Sequence, residues 1–309
     1  MKDHFGDRLV KAVSDKGVAA CVGLDPLLSR LPAGVLSAHG IREGEPVDPS
    51  QAAAALTAFG RDVISCIAAH VPVIKINVAF FERYRAPGLA AYFDLVGAAR
   101  DAGLIVIGDV KRADIGHTSH QYALAVFSDS EVSGPVPDSV TINPYFGVDG
   151  VEPFFEVGAS EGRGVFVLVQ TSNTSAMEVQ GLPTDDGGRV VEHVARQVNS
   201  WASRSGFIGT SGYSMIGAVV SPHGKEETAL IRELMPHSIF LVPGFGAQGR
   251  TADDVKCCFR SDGQGALITS SRGVIYAFSS EEYADAGDWR EAVSASCANL
   301  VASIRSIQS

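Results

Sequence analysis

Eight short apolar runs recur along the chain, and segments with helical spacing separate them. The runs are Val18 to Leu24, Val71 to Val78, Leu104 to Ile107, Ser139 to Tyr145, Gly164 to Ser172, Ile216 to Pro222, Ile239 to Gly244 and Ala266 to Arg272. Apolar residues at helical intervals mark 4 to 16, 52 to 69, 89 to 102, 116 to 127, 151 to 160, 190 to 204, 226 to 235 and 289 to 307. The run Leu104-Ile-Val-Ile107 has no polar alternation, the pattern of a strand covered on both faces in a parallel sheet. Alternating strands and helices with no linker-like break predict one (β/α)8 barrel spanning 1–309 as a single domain. An open, doubly wound sheet is the structural alternative. Pro87-Gly88 reads as a turn ahead of the 89–102 helix, and 31 to 50, rich in Gly, Pro and charge, as an exposed excursion.

Closure into a barrel would bring the C-terminal ends of all strands to one mouth, where barrel enzymes hold their chemistry. Asp25, Lys75, Asp109, Lys111, Ser172, Pro243 and Arg272 all occupy such ends, and that shared placement says more than any one of them. Asp109 and Lys111 follow the third run at period two, which predicts side chains on one face, roughly 6 to 7 Å apart along the chain. Asp114 lies just beyond, ahead of a turn at Gly116. A bare Asp-x-Lys is compatible with a single structural ion pair, but charges emerging from an apolar layer cost several kcal/mol to desolvate unless paired. An isolated Lys such as Lys75 is commonly a snorkelling edge residue. Here the apolar residues on both sides, Asn77 excepted, argue against an outward escape.

The last two strand ends add a candidate anion site. Pro243-Gly-Phe-Gly-Ala-Gln-Gly249 is a loop whose glycines let backbone N–H groups approach an anion, although a glycine-rich loop alone commonly means a tight turn. Ser270-Ser-Arg-Gly273 strengthens the reading, because Arg272 offers a planar fork to phosphate oxygens and Gly273 opens the next segment. Loops seven and eight of such barrels are a frequent phosphate cradle. A small phosphorylated ligand follows. No Walker-type loop and no Rossmann fingerprint with its acidic partner is present, so no nucleotide cofactor is implied.

Composition narrows the classes. The 309 residues are 46% hydrophobic, enough for a large core, and the net charge of −10 with scattered Lys and Arg excludes a nucleic-acid surface. An anionic substrate must therefore be held by local positive groups against the background field. The polar N-terminus, Met-Lys-Asp-His-Phe-Gly-Asp-Arg, contains no signal or membrane-spanning run. Five cysteines, Cys21, Cys66, Cys257, Cys258 and Cys297, form no Cys-x-x-Cys pair and fit reduced thiols. The expectation is a soluble cytoplasmic protein. Eight histidines form no ligand cluster, so no metal site is expected.

Six motifs in order carry a family resemblance: Leu24-Asp25-Pro26, Lys75 within Ile-Lys-Ile-Asn-Val-Ala-Phe-Phe-Glu, Asp109-x-Lys111-x-x-Asp114-Ile115, Thr171-Ser172-Asn173, Pro243-Gly-x-Gly-Ala-Gln248-Gly and Ser271-Arg272-Gly273. Over nearly the whole chain this resembles the orotidine 5′-phosphate decarboxylases, in particular their longer bacterial form (type 2). The resemblance implies conversion of orotidine 5′-monophosphate to uridine 5′-monophosphate and carbon dioxide, with no cofactor and no metal. It implies that Lys111 is the proton donor to C6, that Asp109 stands beside the departing carboxylate, and that Lys75 and Asp114 complete an alternating charge array. It further implies a homodimer in which Asp114, Ile115 and Thr118 reach the partner's site. Asp25 matches a ribose contact, Ser172 a pyrimidine contact, and Gln248 and Arg272 phosphate contacts, with Pro243 also at the substrate. Ile76-Asn77 stands where this form commonly has Pro-Gln, and Arg250 where a second Gly is usual. The competing readings are a magnesium-dependent sugar-phosphate lyase of the same barrel superfamily, a Schiff-base aldolase using Lys75 or Lys111, and a non-catalytic phosphoribosyl-ligand sensor.

Overall fold

The computed structural model describes residues 2–127, 132–245 and 252–308. Eight parallel strands, β1 (Ala20–Leu24), β2 (Val73–Asn77), β3 (Ile105–Arg112), β4 (Ser139–Ile142), β5 (Gly164–Gln170), β6 (Ile216–Val220), β7 (Phe240–Val242) and β8 (Ala266–Ser270), pair in sequence order and close through β1 with β8. The open-sheet alternative is thereby excluded. Strands are short and almost wholly buried because both faces are covered, one by the barrel interior and one by the helices.

Helices fill the predicted intervals. Phe5–Lys16 starts at His4, whose Nδ1 accepts the Gly6 N–H, and ends on Gly17 in the left-handed region. Pro49–Ile67 is capped by the Asp48 carboxylate, which accepts from Ser50 and Gln51, and carries proline in its first turn. It packs its Ala52, Leu56, Phe59 and Val63 face into the core and meets the helix Arg85–Asp101.

Several predicted boundaries move. Pro87-Gly88 is not a turn: both residues lie in the first turn of Arg85–Asp101, where a proline forfeits no intrahelical bond. Gly88 is required there, since a Cβ would fall 1.9 Å from the Phe81 carbonyl oxygen. The strands stop two or three residues before the predicted ends at Tyr145, Ser172, Pro222, Gly244 and Arg272, and after β5, β7 and β8 the residues that leave the ladder line the mouth. Residues 144–146 form a single 3-10 turn, and the following helix begins at Val148 rather than 151. The 31–50 excursion is only partly exposed, with a one-and-a-half-turn helix, Ala33–Ala38, that buries Val35.

Candidate active site

One cavity opens at the C-terminal end of the barrel, and its two sides differ in chemistry. Strands β2 to β4 contribute Lys75, Asn77, Asp109, Lys111 and Thr141, and the residue directly after β1 is Asp25. Strands β5 to β7 contribute Leu168, Val219 and Leu241, and the loops beyond them Thr171, Ser172, Pro243, Gly244 and Phe245. The end of β8 closes the ring with Thr269 to Arg272. A charged wall thus faces an apolar one across the mouth.

The charged wall follows from register. Lys75 lies beside Gly23 of β1 and Ile107 of β3, and Asn77 beside Asp109, so inward-facing positions of three adjacent strands stack toward the mouth. Lys75 Nζ donates to Asp109 Oδ2 at 2.7 Å and stands 3.6 Å from Asp25 Oδ1. Lys111 Nζ donates to the other oxygen, Asp109 Oδ1, at 2.5 Å. The result is an alternating row, Asp25, Lys75, Asp109, Lys111. Lys75 and Asp109 are buried, whereas half of the Lys111 side chain is exposed to the cavity and solvent.

Burial works against charge on both inner groups, and their neighbours outweigh it. Desolvation alone would raise the Asp109 carboxyl, but Lys75 and Lys111 hold it far below the usual carboxylate range. Desolvation would likewise lower Lys75, but Asp25 and Asp109 hold its ammonium above the ordinary lysine range. Both stay charged at neutral pH, a preorganised field in which Asp25 and Lys111 complete the row.

Two further contacts set the rim. The Tyr276 hydroxyl accepts the Leu27 N–H at 2.6 Å and donates to the Asp25 carbonyl at 3.2 Å, tying down the turn that follows β1. At Gly23 a Cβ would lie 1.9 Å from Ser271 Oγ, so only glycine lets the chain leaving β8 pass close over β1. That passage sets the exposed Arg272 on the same rim as Asp25.

The structure gathers seven of the sequence candidates: Asp25, Lys75, Asp109, Lys111, Ser172, Pro243 and Arg272 all line the cavity. Asp114, Ile115 and Thr118 do not. They follow β3 on the outer rim, with the Asp114 carboxylate accepting its neighbour's N–H at 2.8 Å, Ile115 56% exposed and Thr118 exposed. Gln248 lies outside the described residues. Sequence reading missed Thr141 and Tyr276. Thr141 shares one face of β4 with Ser139, and a hydroxyl at every second position of a buried strand was a readable signal; Tyr276, beyond the last strand, had none. Among the described residues no group of three or more His, Cys, Asp or Glu is placed to hold a metal ion.

Comparison with known proteins bears on family and fold. The family model described as orotidine 5′-phosphate decarboxylase / HUMPS family matches residues 21–286. A Rhodopirellula baltica protein named orotidine 5′-phosphate decarboxylase is 38% identical over 296 residues, covering 94% of this chain and 95% of the relative. A Caldicellulosiruptor saccharolyticus protein of the same name is 34% identical over 91% of this chain and 92% of its own. The solved structure of Leishmania donovani OMP decarboxylase superposes with a TM-score of 0.72 at 27% identity, over 99% of this chain and 98% of that one. Matched along most of its length in both sequence and fold, the chain belongs to the orotidine 5′-phosphate decarboxylase / HUMPS family.

Proposed function

We propose that this protein decarboxylates orotidine 5′-monophosphate to uridine 5′-monophosphate, the UMP-forming step of pyrimidine biosynthesis, using only its own side chains. The observation that carries the reading is the row Asp25, Lys75, Asp109, Lys111 on one wall of a cavity whose rim bears Arg272. Relatives matched over nine-tenths of the chain are named for this activity. The whole chain, 1–309, acts as one catalytic domain.

Arg272, with Gln248, which follows β7 in the sequence, holds the substrate phosphate, and Pro243 borders it. Asp25 accepts from the ribose, and Ser172 meets the pyrimidine edge. The ring then lies between the charged wall and Leu168, Val219 and Leu241, with its C6 carboxylate toward Asp109. The C6–carboxylate bond breaks and the electron pair remains on C6. A fixed ammonium at that point stabilises the developing charge without reorganisation. Lys111 then transfers a proton to C6 as general acid and is reprotonated from solvent. Asp109, held ionised by its two lysines, repels the substrate carboxylate, and carbon dioxide departs into the apolar side. Grip on the distant phosphate supplies binding energy for this crowding.

Asp114, Ile115 and Thr118 complete the site of a second copy in a homodimer, Asp114 extending the charge row there. An apolar patch supports that arrangement. The Asp114 carbonyl and the Phe146 Cβ both close on Gly150, which brings the segment leading into the exposed Ile115 beside that of Tyr145, 83% exposed, and Phe146. The enzyme works in the cytoplasm; among the described residues no helix is long and apolar enough to cross a membrane.

The test is the loss of orotidine 5′-monophosphate absorbance by purified protein with chelator present. Turnover unchanged by chelator is expected. Strict dependence on added magnesium would move the protein to the sugar-phosphate lyases of the same superfamily. Against that second reading, both oxygens of Asp109 are already engaged, Oδ2 by Lys75 and Oδ1 by Lys111 and Thr141.

A further inference from the structure

Lys111 has φ +45°, in the left-handed region that a non-glycine residue rarely enters. Such a backbone is costly for a residue with a side chain and persists where surrounding contacts over-determine it. The irregularity is local to the end of β3. Gly108 pairs with Val140, but the next pair is Arg112 with Ile142, so four steps along β3 span two along β4. In this bulge the Lys111 N–H has left the regular ladder. It is taken instead by a side chain: Thr141 Oγ1 accepts it at 3.1 Å.

The same hydroxyl donates its proton to Asp109 Oδ1 at 2.8 Å. A threonine hydroxyl has one proton and two lone pairs, so both bonds are made at once with defined polarity. Thr141 is 1% exposed. One buried group thus clamps the backbone of Lys111 and the carboxylate that receives the Lys111 ammonium. The lysine is anchored at both ends, its peptide on Thr141 and its Nζ on Asp109.

We infer that Thr141 is the positioning residue that sets the reach of Lys111, holding the strained backbone of β3 so that the ammonium is delivered to the reacting carbon. This rests on the proposed role of Lys111 as proton donor. Thr141 binds no substrate group in this scheme; its effect passes through Lys111 and Asp109. Replacing it by valine keeps the shape and removes both bonds, leaving a part-buried N–H without its partner and Asp109 with one donor fewer. Serine keeps both bonds and loses only a methyl group.

The experiment measures kcat and KM for orotidine 5′-monophosphate, and Kd for uridine 5′-monophosphate, in wild type, Thr141→Val and Thr141→Ser, with crystal structures of wild type and the valine variant. Displacement of a catalytic group by about 1 Å costs on the order of 100-fold, and Thr141→Val is expected to lose about that much kcat. KM and product Kd stay within about threefold, because the groups that hold the nucleotide are untouched, and Thr141→Ser stays within about fivefold of wild type. In the valine crystal Lys111 leaves positive φ and its Nζ leaves Asp109. A wild-type kcat in Thr141→Val overturns the inference, as does a serine variant as slow as the valine one, which would assign the effect to methyl packing. Should the valine variant fail to fold, Thr141→Ala serves in the same arms. If wild type itself does not decarboxylate this substrate, the proposed function fails, while the crystal comparison still decides whether Thr141 holds Lys111.

Discussion

Asp109 and Asp138 are both buried carboxylates clamped by two cations, and they sit at opposite ends of the same pair of strands. Asp138, just before β4 at the closed bottom of the barrel, accepts from Arg8 at 2.9 Å and Arg163 at 2.8 Å, and its second oxygen accepts the Val106 N–H of β3 at 2.9 Å. Asp109, at the open mouth, accepts from two lysines and a threonine hydroxyl. The electrostatic device is the same at both ends. The difference lies in the cations and in what else can reach them. Guanidinium forks keep their protons in proteins and match a carboxylate rigidly, which suits a strut tying the first helix, the β5 end and the β3–β4 pair together. An ammonium on a flexible stem can give up a proton, and Lys111 faces a cavity that admits a substrate. Barrels commonly separate stability at the bottom from chemistry at the top, and here one motif serves each purpose.

Breaking the top and bottom clamps should therefore fail differently. The largest effect is expected at Lys111: Lys111→Ala should reduce kcat by at least about 10,000-fold, since both charge stabilisation and proton delivery are lost, while uridine 5′-monophosphate still binds in titration. Lys111→Arg keeps a cation beside Asp109 but offers no transferable proton, and it should be nearly as slow; brisk turnover there would remove the lysine–arginine distinction from the mechanism. At the bottom, Asp138→Asn leaves Arg8 and Arg163 without their carboxylate and should lower unfolding stability by about 3–5 kcal/mol in denaturant titration. Its kcat per folded molecule should match wild type. Arg163→Lys is a milder break, expected to cost about 1 kcal/mol through loss of fork geometry, again without change in kcat.

A surface carboxylate at the same closed end sets the lower bound. Asp7 accepts from the Thr210 N–H and hydroxyl and the Ser211 N–H. Partial burial opposes its charge, but these donors lower its carboxyl from 3.8 to about 2. A carboxyl depressed on folding contributes stability above its unfolded value, lost as pH falls through its folded value. Asp7→Asn should thus lower Tm at pH 7 by about 2 °C, a shift proper to a weak, solvent-screened contact. The difference from wild type should shrink between pH 4 and pH 2, followed by melting across that range.

Much of this division was legible along the chain. Eight apolar runs and their helices appeared in order, and Asp25, Lys75, Asp109 and Lys111 were recognisable because a charge at the end of an apolar strand is costly to desolvate unless it is paired or used. Period two correctly placed Asp109 and Lys111 on one side of β3, although the backbone reaches that result through a bulge and a positive φ rather than a regular pleat. Pro87-Gly88 was misread because the composition of a turn and that of a tightly packed first helical turn are alike; only the Phe81 carbonyl distinguishes them.

The sequence by itself determined the number and order of strands, the charges at their ends and the family, because hydrophobic periodicity and motif spacing are properties of neighbouring residues. Only the tertiary structure decided that Asp25 sits against Lys75, that Thr141 holds both Lys111 and Asp109, and that Tyr276 ties down the turn after Asp25. Those contacts join residues 30 to 251 positions apart, and they depend on strand register and barrel closure. No local pattern encodes register; it is set by the packing of the whole core.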